Sequence, residues 1–155
     1  MPFKKPHLIP WTIVCLALLG SFKTRAEPAR LPGGVVEFTE GAKLFSNRSY
    51  PVLEVPDSLA GFSFLRTDIE SQVLLECAKS FTVYAITPVE HPTNSLANAL
   101  VSQGFERLEI EPFQLFGTQE ADLAGVYRKT LKPGEIVETR KWVVLLAREA
   151  FFLKP

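Results

Sequence analysis

The sequence predicts a mainly β protein: an antiparallel β-sandwich of jelly-roll-like build, with eight or nine short strands and a single short helix. Three observations carry this expectation. Runs rich in Val, Ile, Phe and Tyr alternate with polar residues at the two-residue period of a half-buried strand. Turn residues interrupt these runs roughly every 8 to 12 positions. Only one stretch places its apolar residues at helical spacing.

Taken in order, Val35, Val36 and Phe38 open the first strand, and residues 43–45 offer it a hairpin partner across Gly41. Pro51, Pro56 and Gly61 then break the chain, with Pro56, Asp57 and Ser58 supplying turn chemistry. Phe62 and Phe64 alternate with Ser63 and Leu65 as a half-buried strand. Residues 73–77 and 81–86 give the strongest strand signals and suggest a central hairpin. Its second arm is β-branched and aromatic throughout, the composition of a strand covered on both faces. Pro88 and Pro92 end it, because proline cannot donate to a ladder.

Residues 94–103 are the helix: Thr93 or Asn94 can cap it, Leu96, Ala99 and Leu100 form its apolar face, and Gly104 stops it. Extended structure resumes through Phe105, Leu108, Ile110, Phe113, Leu115 and Phe116, and residues 124–129 form a further strand. Pro133 and Gly134 specify a type II turn, proline presetting φ and glycine supplying the positive φ that follows. Residues 136–137 and 142–147 make a closing pair of strands.

The N-terminus predicts destination. Lys4, Lys5 and His7 precede an apolar run over residues 8–20 that is short for a membrane-spanning helix, the layout of a secretory signal. Thr24 and Ala26 occupy the positions that signal peptidase inspects, which places cleavage after Ala26, with Ala29 as the alternative site and a retained anchor as the alternative fate. The expected organisation is therefore a signal peptide at 1–26, a Pro- and Gly-containing leader at 27–34 and one domain at 35–155, secreted or periplasmic, touching a membrane only through the signal.

Charge and cysteine content narrow the function. The chain carries 17 basic and 17 acidic side chains; loss of the first 26 residues with their four bases leaves 129 residues with 13 bases against 17 acids. A formal charge of −4 argues against nucleic acid as a partner, while leaving room for a local basic patch. Cys15 leaves with the signal, so Cys77 remains as one thiol and no intramolecular disulfide can form. His91 is then the one histidine. One histidine and one cysteine build neither a zinc site nor a supported nucleophile, no glycine group has phosphate-loop spacing, and no serine sits in a nucleophile elbow. No cofactor and no metal are expected. Carboxylate pairs such as Glu109 with Glu111 share one face of an extended stretch, which is the pattern of a solvated strand.

The order of several motifs resembles an uncharacterised β-rich module of secreted bacterial proteins that is often found beside glycosidase-like or sulfatase-like domains. The resemblance runs through Asn47, Arg48, Ser49 and Tyr50, then Pro56, Leu59, Gly61 and Phe62, then Phe81, Val83, Tyr84 and Ala85. It continues through Leu100, Gly104 and Phe105, the run Val126, Tyr127, Arg128, Lys129, the turn at Pro133 and Gly134, and Lys141 with Trp142. Pro51 stands where that module carries a Trp, and the glycine that often follows its last Trp is missing. The resemblance implies an extracellular accessory fold and names no chemistry.

These readings point to a binding module that is not an enzyme. Planar aromatics stack on the apolar faces of sugar rings while Arg, Asn and Gln grip hydroxyls, so the candidate ligand-binding residues are Tyr50, Tyr127 and Trp142 with Asn47, Arg48, Arg66 and Arg128. The Val143 and Val144 that follow Trp142 argue that its ring packs inward. A glycan is the expected partner; a structural or protein-interaction role with another exported protein is the alternative, and a small glycan-active hydrolase the second alternative.

Overall fold

The computed structural model describes residues 34–89, 95–139 and 141–148. The proposed signal peptide, most of the leader, His91 with Pro92, the helix-capping Thr93 and Asn94, and the tail at 151–155 lie outside them. The described part is mainly β, as the sequence predicts. Its strands are β1 (Val35–Glu37), β2 (Ser63–Leu65), β3 (Val73–Glu76), β4 (Phe81–Pro88), β5 (Glu106–Arg107), β6 (Phe113–Gln114), β7 (Leu123–Leu131), β8 (Ile136–Thr139) and β9 (Val144–Ala147), with one α-helix, α1 (Ser95–Ser102).

Seven strands form one antiparallel sheet in the order β1-β2-β9-β4-β7-β5, with β6 pairing on β7 beside β5. The remaining two, β3 and β8, form a separate antiparallel ribbon. The sandwich-like layers are thus unequal. β4 lies between β7 and β9, and every residue from Ala85 to Pro88 is buried, so its β-branched and aromatic composition reports a central strand covered on both faces.

Two apolar cores flank the large sheet. On one face the chain between β1 and β2 folds back as cover, and Phe38, Leu44, Phe45, Val52 and Leu59 pack on Phe64, Ile86, Val126 and Leu146. On the other face the ribbon and α1 close a second core, in which Leu75, Leu100 and Val137 meet Val83, Tyr127 and Leu145. Alternation along each strand explains the division: Phe64 and Leu146 serve the first core, while their neighbours Leu65 and Leu145 serve the second.

The turn chemistry behaves as the sequence predicts. Gly104 closes α1 at φ +85°, and Phe105 N–H donates to Leu100 O at 3.1 Å. Gly134 has φ +80°, and Glu135 N–H donates to Lys132 O at 3.0 Å across the turn. Three expected pairings differ. β3 and β4 are not a hairpin: β3 joins β8 and β4 joins β7 and β9. β1 pairs with β2 rather than with residues 43–45, where Lys43 and Phe45 make isolated bridges to Pro51 and Thr67. β8 and β9 also lie in different sheets. The cause is common to all three, since local periodicity fixes which residues are extended but not which distant strand completes the ladder.

Candidate functional site

The described end of the sheet at which β9 begins and β2 ends collects four aromatic rings from three distant segments. The first segment is an irregular hairpin: Val52 N–H donates to Ala42 O at 2.8 Å, Leu44 N–H donates to Tyr50 O at 2.9 Å, and Lys43 bridges Pro51. Its tip, residues 45–50, is fastened to the chain after β2. Ser46 N–H donates to Thr67 O at 3.0 Å, Ile69 N–H donates to Asn47 Oδ1 at 3.0 Å, and the Ser46 hydroxyl donates to Asp68 Oδ1. The second segment is tied to the first by Leu53 N–H donating to Leu115 O at 2.8 Å and Gln114 N–H donating to Glu54 Oε2 at 3.1 Å, which brings Phe116 alongside Tyr50. The third is the turn before β9, where Trp142 stands with φ +67°, the one described non-glycine residue in the left-handed region.

Tyr50, Phe116 and Trp142 are half-buried and nearly parallel. Their ring centroids are 5.3 Å apart for Tyr50 and Phe116, 5.6 Å for Phe116 and Trp142 and 6.2 Å for Tyr50 and Trp142, with interplanar angles of 22°, 26° and 21°. A column of three rings would put its outer pair at the sum of the two inner spacings, so these rings are offset in a triangle, a shelf that packs against the first core. Phe45, fully buried, stands edge-on to Tyr50 at 85° and to Trp142 at 81°, and so fixes the shelf to the first core.

The candidate ligand-binding residues divide accordingly. Tyr50 and Trp142 come together at the shelf. Asn47 and Arg48 are exposed at the hairpin tip before Tyr50, Asn47 Oδ1 accepting from Ile69 N–H and Arg48 Nη1 donating to Asn47 O, and no contact joins either side chain to the rings. Arg66 follows β2 at the same end of the sheet; it is half-buried, and its Nε has no hydrogen-bond partner among the described residues. Tyr127 is 3% exposed and belongs to the second core, on the other face of the sheet. Arg128 is exposed on β7 and lies 3.7 Å from Glu106 Oε2. Phe116 is the member that the sequence does not single out, since one Phe among 12 gives the same signal whether it fills a core or faces a ligand.

Elsewhere, Cys77 is buried in the second core, with its thiol donating to Lys79 O. Glu109 and Glu111 are exposed in the extended stretch between β5 and β6, where residues 107–112 line a groove of about 360 Å³. Among the described residues, no cluster of three or more His, Cys, Asp or Glu could hold a metal ion, and no helix is long and apolar enough to cross a membrane.

No protein-family model matches the sequence, and no curated protein matches it. Two solved structures share its fold. A β-glucuronidase from glycoside hydrolase family 2 superposes with a TM-score of 0.52 and 12% identity, over 76% of this chain and 14% of that one. A GH138 enzyme targeting pectin rhamnogalacturonan II superposes with a TM-score of 0.51 and 18% identity, over 78% of this chain and 16% of that one. The chain therefore spans about a seventh of the length of either enzyme, and the likeness is one of fold.

Proposed function

We propose that the protein is an exported, non-catalytic module that binds glycans on the shelf of Tyr50, Phe116 and Trp142. The observation that carries this reading is the near-parallel arrangement of three half-buried rings at the chain's one described left-handed non-glycine residue. A bulky residue at positive φ costs on the order of 1–3 kcal/mol, and such strain collects where surrounding structure holds a side chain for use. Flat aromatic surface with polar side chains at its rim suits the apolar face and the hydroxyls of a sugar ring. The two enzymes of similar fold, which act on glycans by name, support the same ligand class.

A glycan array probed with the whole protein tests this. The reading expects binding to a defined glycan set that is lost in Tyr50→Ala and Trp142→Ala while circular dichroism shows the fold retained. An array without binding, or binding untouched by both substitutions, overturns it.

A second reading, docking onto another exported protein, draws on the outward face of the β3–β8 ribbon. Leu74 and Ile136 are 66% and 58% exposed there, and the register places them diagonally across the two strands. A stoichiometric partner released by Leu74→Lys but not by Trp142→Ala would favour it.

A further inference from the structure

We infer that the protein pairs with a second copy of itself through the open edge of β3, joining two ribbons in the order β8-β3-β3-β8. The ribbon covers the second core and the shelf packs on the first, so the inference stands apart from glycan binding. It commits the ribbon to a second copy in place of a foreign protein.

Bonded and unbonded pairs alternate along an antiparallel ladder. Cys77 N–H donates to Glu135 O at 2.9 Å, which makes this pair, and with it Leu75 and Val137, the ones that bond across the ribbon. Leu74 and its partner Glu138 therefore turn their backbone groups outward, one to each edge. On the β8 edge the Gln103 side chain takes both groups of Glu138, Nε2 donating to O and Oε1 accepting N–H, each at 2.9 Å. On the β3 edge, Leu74 N–H and O have no partner among the described residues. One edge of the ribbon is closed and the other is open. An open edge beside a leucine that is 66% exposed is a template for another strand.

The edge fits itself. An antiparallel pairing about a two-fold axis at Leu74 sets this residue against Leu74 of the second copy, and the two exchange N–H···O bonds in both directions. The same register sets Gln72, exposed just before β3, against Glu76 of the second copy, and symmetry repeats the pair. Gln72 holds its amide on the outward face by donating to Glu138 Oε1, and its second N–H remains for the carboxylate opposite. An axis at Glu76 would instead set two carboxylates face to face, which is unfavourable. Leu74 also stands diagonally from Ile136, which is 58% exposed. Two copies thus align Ile136, Leu74, Leu74 and Ile136 as one apolar stripe across four strands, where a ribbon of two has little stability alone.

Sedimentation velocity of the whole protein over a concentration series tests the inference, with amide exchange at Leu74 as the local readout. A dimer is expected to form as concentration rises, and exchange at Leu74 to slow with it by about tenfold or more. Leu74→Pro removes an N–H that points to the open edge and leaves the bonds between β3 and β8 in place, so this variant is expected to be folded and monomeric. If circular dichroism shows that it does not fold, Leu74→Lys replaces it: two ammonium groups then meet at the axis, and the dimer is expected to weaken by about tenfold. Gln72→Lys sets an ammonium against each Glu76 carboxylate, and is expected to tighten the dimer severalfold and make it sensitive to salt. A protein that stays monomeric throughout the series overturns the inference, as does a dimer that keeps its affinity in Leu74→Pro or Leu74→Lys. A dimer weakened by Gln72→Lys overturns the register. A stoichiometric foreign protein that slows exchange at Leu74 in place of a second copy also overturns it, and returns the ribbon to the second reading.

Discussion

Trp142 and Tyr50 come from opposite halves of the chain, yet their rings lie 6.2 Å apart at 21°, and the indole reaches that seat only because Trp142 adopts φ +67°. Glycine accepts this backbone freely and alanine does not. Trp142→Gly is therefore expected to be more stable than Trp142→Ala by about 1 kcal/mol, the reverse of the usual order, although both lose the ring. Urea unfolding of the two variants measures the difference. An alanine variant as stable as the glycine one would mean that the turn relaxes once the ring is gone.

Tyr127 and Phe116 separate packing from presentation. Tyr127 is buried on β7 in the second core, so Tyr127→Ala leaves a cavity and is expected to cost about 3–5 kcal/mol, a large share of the roughly 5–15 kcal/mol that holds a domain together. Phe116 is only half-buried, and Phe116→Ala is expected to cost about half as much while abolishing glycan binding. Thermal melts with paired binding measurements check both; a Phe116→Ala protein that keeps full affinity would remove this ring from the shelf.

Much of this architecture is legible along the chain, and the rest fails for identifiable reasons. The double-sided burial of β4, the stop at Gly104 and the turn at Gly134 follow from composition and backbone preference alone. Pairing does not. The short link at residues 78–80 suggests a hairpin between β3 and β4, but Cys77 N–H donates to Glu135 O at 2.9 Å and Gly134 N–H donates to Cys77 O at 2.8 Å, so the end of β3 is bound to the turn before β8. The shelf is half legible. Tyr50 and Trp142 announce themselves as amphipathic rings, whereas the flanking valines suggest an inward Trp142. Val143 and Val144 are buried, and Trp142 itself is half-buried against the first core, so the inward reading holds in part, while the left-handed turn before the strand sets its ring nearly parallel to Tyr50.

Acid should expose the ion pair that joins β7 to the turn before β8. Lys129 Nζ lies 2.6 Å from Glu135 Oε1, and Lys132 N–H donates to Glu135 Oε2 at 2.9 Å. The Lys129 ammonium first, and the Lys132 N–H second, hold the Glu135 carboxyl below its ordinary 4.5, against a smaller opposing effect of burial. Because the folded value is the depressed one, the pair's contribution is complete above about pH 4.5 and is lost as pH falls through that lowered value. Both side chains are partly exposed to solvent, so the contribution is no more than about 1 kcal/mol. The stability gap between wild type and Glu135→Gln is expected to be present at neutral pH and to close in acid. A gap that is unchanged from pH 7 to acid would show that the ion pair does not carry it.

Gln103 closes the edge that β8 would otherwise leave open. Its Nε2 donates to Glu138 O at 2.9 Å and its Oε1 accepts Glu138 N–H at 2.9 Å, so one side-chain amide does the work of a neighbouring strand. The same residue accepts Lys129 Nζ at its backbone carbonyl, which ties the end of α1 to β7 as well. Among the described residues β8 pairs only with β3, and a two-stranded ribbon has little stability of its own. Two hydrogen bonds of ordinary strength amount to about 1–3 kcal/mol, and Gln103→Ala is expected to lose most of it. The loss should be local: amide exchange at Glu138 should accelerate by about tenfold or more while the amides of β4 keep their protection, since β4 is held from both sides by β7 and β9. Exchange that quickens equally in β4 would mean that ribbon and sheet open as one unit, and that the amide clamp stabilises the whole domain instead of its second layer.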